Sequence, residues 1–272
     1  MRSKLIVVLV SLAGLFLAAA AAVAGDPGAT ALALEGAAPI TSAGDYLDPA
    51  WSPDGATLSA SGTGSRGLYL VDLADGGVTA LVEPEELVGF RHRWLDGPPR
   101  IVCPPRGEKP AREVAPADGA VRMLTDWSEP VRAHRDDIHL RQPGGDLRLT
   151  QGEDQFFDPV LSPDGTRVAF VGLATGIHLL EIAGGELTHL GPGTRPTWTP
   201  DGRWILFERT RDDGQQMISA QLMAHGVERG ETLALTDGSR LDRHPAVSPD
   251  GTRVAFVRDG DLWVATLTEV VR

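Results

Sequence analysis

Four near-copies of one phrase, an apolar β-branched run behind each, and glycine pairs further downstream predict an all-β fold, a β-propeller of four-stranded blades. The phrase reads LSPDGTRVAFV at 161–171 and VSPDGTRVAFV at 247–257, with AWSPDGATLSA at 50–60 and TWTPDGRWILF at 197–207. Its centre is a turn with a mechanism: proline presets one position, aspartate bonds backbone two residues on, and glycine accepts positive φ. The residues behind it, such as Val168-Ala169-Phe170-Val171, follow strand rather than helix patterning. A second hairpin comes next, GLYLVDLADGGVTALV at 67–82 and GIHLLEIAGGELTHLG at 176–191, where the glycine pairs break two alternating runs. Two hairpins make the four strands of one blade.

Taken in order, the blades fall near 48–82, 91–125, 126–151, 158–191, 195–237 and 244–271. The second keeps a tryptophan, an Asp-Gly turn and an apolar run but has lost the Pro-Asp order. The third is degenerate: 136–151 reads as an outer hairpin whose inner strands are abbreviated or irregular. Six blades are expected, with five or seven also compatible with the spacing. The last unit has room for three good strands, and TALALEG at 30–36 is a strand without a unit of its own. It is expected to join the last blade and close the ring, leaving no exposed edge there.

Arg2 and Lys4 precede an apolar run that ends in Ala22-Val23-Ala24, the pattern of a signal peptide over 1–24. The run is also long enough for an uncleaved membrane anchor, the alternative reading. Cleavage would leave residues 25–272 as a single propeller domain in the periplasm or outside the cell, with no stable membrane insertion. That part carries 23 basic and 37 acidic residues, since the leader takes two basic residues and no acidic one. Such an acid excess repels nucleic acid and anionic lipid, so envelope or periplasmic proteins are the expected partners of a monomer. Cys103 has no second cysteine to pair with, and its setting, RIVCPP, reads as a buried strand position.

The chain has no G-x-S-x-G, H-E-x-x-H, phosphate-binding Gly-Lys-Ser loop or calcium loop, and its seven histidines do not fall at ligand spacings. No catalytic residue, metal ligand or cofactor is therefore assigned. His134 with Asp136 and Asp137 comes nearest to a metal group and reads as solvated loop. Ser52, Ser162, Thr199 and Ser248 read as turn-capping hydroxyls, because no base recurs beside them. Trp51, Trp94 and Trp198 hold matching repeat positions and are expected between blades. The residue preceding the first proline of each unit should recur around one channel mouth, giving Asp48, Arg91, Asp158, Arg195 and His244 as candidate ligand- or partner-binding residues.

The patterns DPAWSPDGATL at 48–58, DPVLSPDGTRVAF at 158–170 and HPAVSPDGTRVAF at 244–256 resemble the WD40-like PD40 repeat of the TolB-like propeller family. The resemblance spans nearly the whole chain after the leader. It implies a periplasmic propeller and is not specific for function; because every recurrent residue has a structural job, a non-catalytic protein-interaction module is expected. PD40-like lyases, which hold a metal through histidines, supply the alternative of a channel-centred small-ligand or metal-binding propeller. Propellers that precede prolyl-oligopeptidase-type hydrolase domains are similar too, but no nucleophile motif accompanies this one.

Overall fold

The computed structural model describes residues 30–271 except 43, 84–90, 96, 106–109 and 153; the predicted leader lies outside the described residues. The chain starts with strand β1 (Thr30–Pro39) and then lays down its sheets in order. The first holds β2 (Tyr46–Trp51), β3 (Thr57–Gly62), β4 (Arg66–Asp72) and β5 (Val78–Val82), the second β6 (Arg93–Leu95), β7 (Arg100–Cys103), β8 (Ala111–Val114) and β9 (Val121–Leu124). The third holds only β10 (Val131–His134), β11 (Asp137–Gln142) and β12 (Gly145–Arg148). The fourth contains β13 (Phe156–Leu161), β14 (Arg167–Gly172), β15 (Gly176–Glu181) and β16 (Leu187–Gly191), and the fifth β17 (Thr194–Trp198), β18 (Trp204–Asp212), β19 (Met217–Gly226) and β20 (Thr232–Ala234). The sixth has β21 (Asp242–Val247), β22 (Arg253–Arg258) and β23 (Asp261–Val271), with β1 hydrogen-bonded antiparallel to β23 as its outer strand. Six antiparallel sheets in propeller arrangement result, and the first strand of each regular sheet is its innermost.

The repeated phrase builds the same turn each time. Ser52 Oγ donates to Asp54 Oδ1 at 2.6 Å and accepts the Thr57 N–H at 3.0 Å, while Asp54 Oδ1 accepts the Ala56 N–H. Ser162 with Asp164, Thr199 with Asp201 and Ser248 with Asp250 repeat these bonds. The hydroxyls thus cap turns, as their sequence positions suggest. Behind each turn the second strand enters the core: Phe170, Phe207 and Phe256 are fully buried at equivalent places. Burial of each contributes roughly 1.5–3 kcal/mol relative to exposure.

Tryptophans tie neighbouring blades. Trp51 Nε1 donates to the Ala246 carbonyl at 2.9 Å, Trp198 Nε1 to the Val160 carbonyl at 3.1 Å, and Trp94 Nε1 to Ser59 Oγ at 2.9 Å. Each bond reaches the innermost or second strand of the adjoining blade, so the expected inter-blade role is met by hydrogen bonding as well as apolar contact.

The third sheet lacks the innermost strand, and three sets of bonds establish this. Thr150 Oγ1 donates to Asp137 Oδ1 and accepts the Ile138 N–H at 2.9 Å, just as Thr41 Oγ1 donates to Asp261 Oδ1 and accepts the Leu262 N–H at 2.9 Å. Thr236 Oγ1 likewise accepts the Leu222 N–H. The Asp136 carbonyl accepts from Phe156 N as the Gly260 carbonyl does from Tyr46 N, each at the start of the next blade. Strand β11 is therefore equivalent to β23 and β19, the third strands of their blades, which makes β10 a second strand. Residues 126–130, which precede β10, form no strand.

Candidate binding site in the central channel

Asp48, Arg91, Asp158, Arg195 and His244 all line one cavity of about 390 Å³ that follows the innermost strands. Backbone geometry puts them there. All five have left-handed φ, between 51° and 58°. Four of them sit at a β-bulge, where pairing shifts register between Leu47 and Ala50, Phe157 and Val160, Thr194 and Thr197, and Arg243 and Ala246. Those four also precede proline, which ordinarily pushes the preceding residue to extended conformations. Positive φ is uncommon outside glycine and costs of order 1 kcal/mol or more per residue. The degenerate third blade supplies no left-handed residue to this ring.

The charges in the ring compensate one another. Arg91 Nη1 lies 2.9 Å from Asp158 Oδ1. Across the ring Arg195 Nη1 pairs with Asp48 Oδ1, and His244 Nδ1 lies 2.9 Å from the same oxygen and 3.0 Å from the Asp48 nitrogen. Burial by itself would raise the Asp48 carboxyl, but the His244 hydrogen bond and the Arg195 charge outweigh it and hold the group at about 2. Asp48 Oδ2 and His244 Nε2 are buried without a hydrogen-bond partner among the described residues. Two polar atoms in that condition are costly unless a further group reaches them.

A buried carboxylate supports this network. Glu208, 3% exposed and midway along β18, accepts the His244 N–H at 2.7 Å and the Thr194 hydroxyl at 3.1 Å, with Arg195 and Arg243 both 3.9 Å away. Sequence reasoning missed Glu208 because it does not recur; the one signal is a carboxylate directly closing the apolar run Trp204–Phe207. His92, beside the ring in sequence, also lines the cavity, and its Nε2 lies 2.9 Å from Ser59 Oγ. His134 and Asp136 are exposed, whereas Asp137 is buried and holds Thr150. Among the described residues no group of three or more His, Cys, Asp or Glu side chains is placed to hold a metal ion. Cys103 is buried, and burial pushes its thiol up to about 12.

No family model matches the chain. In sequence it is 31% identical over 123 residues to a TolB homolog of Chlorobium luteolum, covering 42% of this chain and 26% of that protein. The chain is a six-bladed β-propeller that resembles a TolB homolog in sequence over part of its length. The chain is also 30% identical over 158 residues to the uncharacterized peptidase YuxL of Bacillus subtilis, covering 44% of this chain and 24% of that protein. Identity is 29% over 225 residues to the uncharacterized protein Atu1656 of Agrobacterium fabrum, covering 79% of this chain and 67% of that one. The chain thus spans about a quarter of the length of two of these curated relatives. In structure it is similar to a gluconolactonase of Xanthomonas campestris, with a TM-score of 0.63 over 85% of this chain and 89% of that one. Their sequences are 14% identical, so that likeness carries the fold alone.

Proposed function

We propose that this chain is an exported protein-interaction module of the cell envelope, and that the charged ring of the channel is its contact site. The observation that carries the reading is the convergence of five left-handed, non-glycine residues on one cavity. Strain of that kind clusters at functional sites, since glycine would build the same bulge at lower cost and leave no side chain in the channel. Acid and base alternate from Asp48 through Arg91 and Asp158 to Arg195, which suits a ligand presenting both signs, as a protein segment does. Partial identity to a TolB homolog supports an envelope setting, and the leader read from the sequence supports export.

The test is recovery of partners from cell envelope by the full chain, beside a variant carrying Asp158→Ala and Arg195→Ala and checked for an unchanged thermal transition. A protein recovered by the parent and lost by the variant is the expected result. Equal recovery by both would move the contact away from the ring.

One observation favours a second reading, a small polar ligand or cation bound within the channel: the unpartnered Asp48 Oδ2 and His244 Nε2 belong to residues that line the cavity. Metal analysis of the purified chain separates the two readings. A stoichiometric metal that is lost with His244→Ala would favour the second.

A further inference from the structure

The degenerate blade has a consequence outside the channel ring. In the five regular blades the second strand has hydrogen-bonded neighbours on both sides, but β10 pairs on one side only, with β11. The register fixes which of its groups are free. The Pro130 carbonyl accepts the Arg141 N–H, so bonding to β11 alternates through Arg132 opposite His139 and His134 opposite Asp137. The peptide groups of Val131 and Ala133 consequently point away from β11, and no backbone hydrogen bond to either is found on that side among the described residues.

Along this edge lies a cleft of about 740 Å³, bounded by β10, the irregular segment 127–130 and the innermost strand β13 of the next blade. It adjoins the channel cavity through Arg91 and Arg93. Its charge runs against that of the whole chain: Arg91, Arg93, Arg132 and Arg141 line it, with Glu129 as the one acidic lining residue. Arg93 is held over the Trp127 ring and paired with Glu129, and Arg132 is paired with Asp146. Arg141 is exposed, opposite Asp146 of β12, and its guanidinium makes no hydrogen bond or ion pair among the described residues. Trp127 adds an independent observation. The indole N–H groups of Trp51, Trp94 and Trp198 all donate to a neighbouring blade, whereas Trp127 Nε1 is buried with no partner.

We infer that this cleft is a strand-addition site for an extended acidic peptide segment, which pairs with the free edge of β10 and sets carboxylates against Arg132 and Arg141. An extended backbone offers the donors and acceptors that the Val131 and Ala133 peptide groups need, and one of its carbonyls can accept from Trp127 Nε1. The basic walls select the charge of the added segment. The four-residue length of β10 limits the contact to a short stretch.

The probe is an acetylated, amidated hexapeptide of alternating Glu and Val, titrated into the full chain while the Ala133 and Trp127 N–H resonances are followed by NMR. Two controls carry the same sequence with Lys for Glu, or with N-methyl groups on the residues facing β10. Saturable binding of the acidic peptide is expected, weakened about tenfold or more for both controls. Ala133→Pro deletes the outward N–H without touching a bond to β11, and Arg141→Glu reverses the unpaired charge. Each should weaken binding about tenfold while leaving the thermal transition in place. Absence of saturable binding, or equal binding by the N-methylated peptide, would overturn strand addition; equal binding by the lysine peptide would overturn the acidic preference. The N-methylated peptide keeps the test decisive even if Ala133→Pro fails to fold.

Discussion

At the level of single residues, the channel ring combines backbone strain with charge, and the two are separable by substitution. Asparagine tolerates left-handed φ, whereas a β-branched residue does so poorly. Asp158→Val should therefore destabilise the fold by about 2 kcal/mol more than Asp158→Asn, as read from chemical denaturation. The Asn variant itself should cost under about 1 kcal/mol, because Arg91 and Asp158 are partly open to solvent. Asp48 differs, being buried. Its carboxyl sits at about 2 in the folded chain against an ordinary 3.8, so its contribution is complete above about pH 4 and falls away as pH drops towards 2. That contribution is roughly 2 kcal/mol, and a stability profile of Asp48→Asn should be flatter than the parent's over that window. Four of the ring positions were readable from sequence because each precedes a proline at the start of its unit, and Arg91, which precedes His92, was readable from its place in the second unit. Glu208, which holds His244 from behind, occurs once and leaves no such trace.

Strands and blades carry a second kind of regularity that the linear pattern hid. The threonine that follows an outer strand and accepts a backbone N–H of the third strand appears as Thr41, Thr150 and Thr236, at unequal distances from its partner. Thr41 acts across 221 residues of chain and Thr150 across 12, so no fixed spacing reveals the relation. Thr150→Val would leave the buried Ile138 N–H and Asp137 carboxylate short of a partner. Equilibrium unfolding should register a loss of about 1–3 kcal/mol, and hydrogen exchange at Ile138 should speed up. Trp198→Phe, which keeps apolar contact but deletes the N–H to the Val160 carbonyl, is expected to cost about 1 kcal/mol by the same measurement. Turns, second strands and outer hairpins were legible because Pro-Asp-Gly and Gly-Gly carry their own geometry. The third blade was legible only in its outer hairpin: residues 126–130 offer no apolar alternation to mark where its first strand fails.

Across the whole molecule, the sixth sheet is assembled from both ends of the described chain. Leu32 of β1 is 6% exposed and shares a core with Leu222, Phe256 and Leu267 from the fifth and sixth blades. Leu32→Ala should cost about 2–4 kcal/mol in equilibrium denaturation, a core-sized effect for a residue near the start of the fold. A chain in which β1 merely rested on the surface would show under about 0.5 kcal/mol. The same seam sets a clock on folding. Of the described strands β1 leaves the ribosome first, yet its hydrogen-bonding partner β23 comes last, so this pairing has the longest loop to close among the described residues. Early blades can form behind a first strand that still waits for its neighbour, and any premature release of the nascent chain strands it there with an edge open to aggregation.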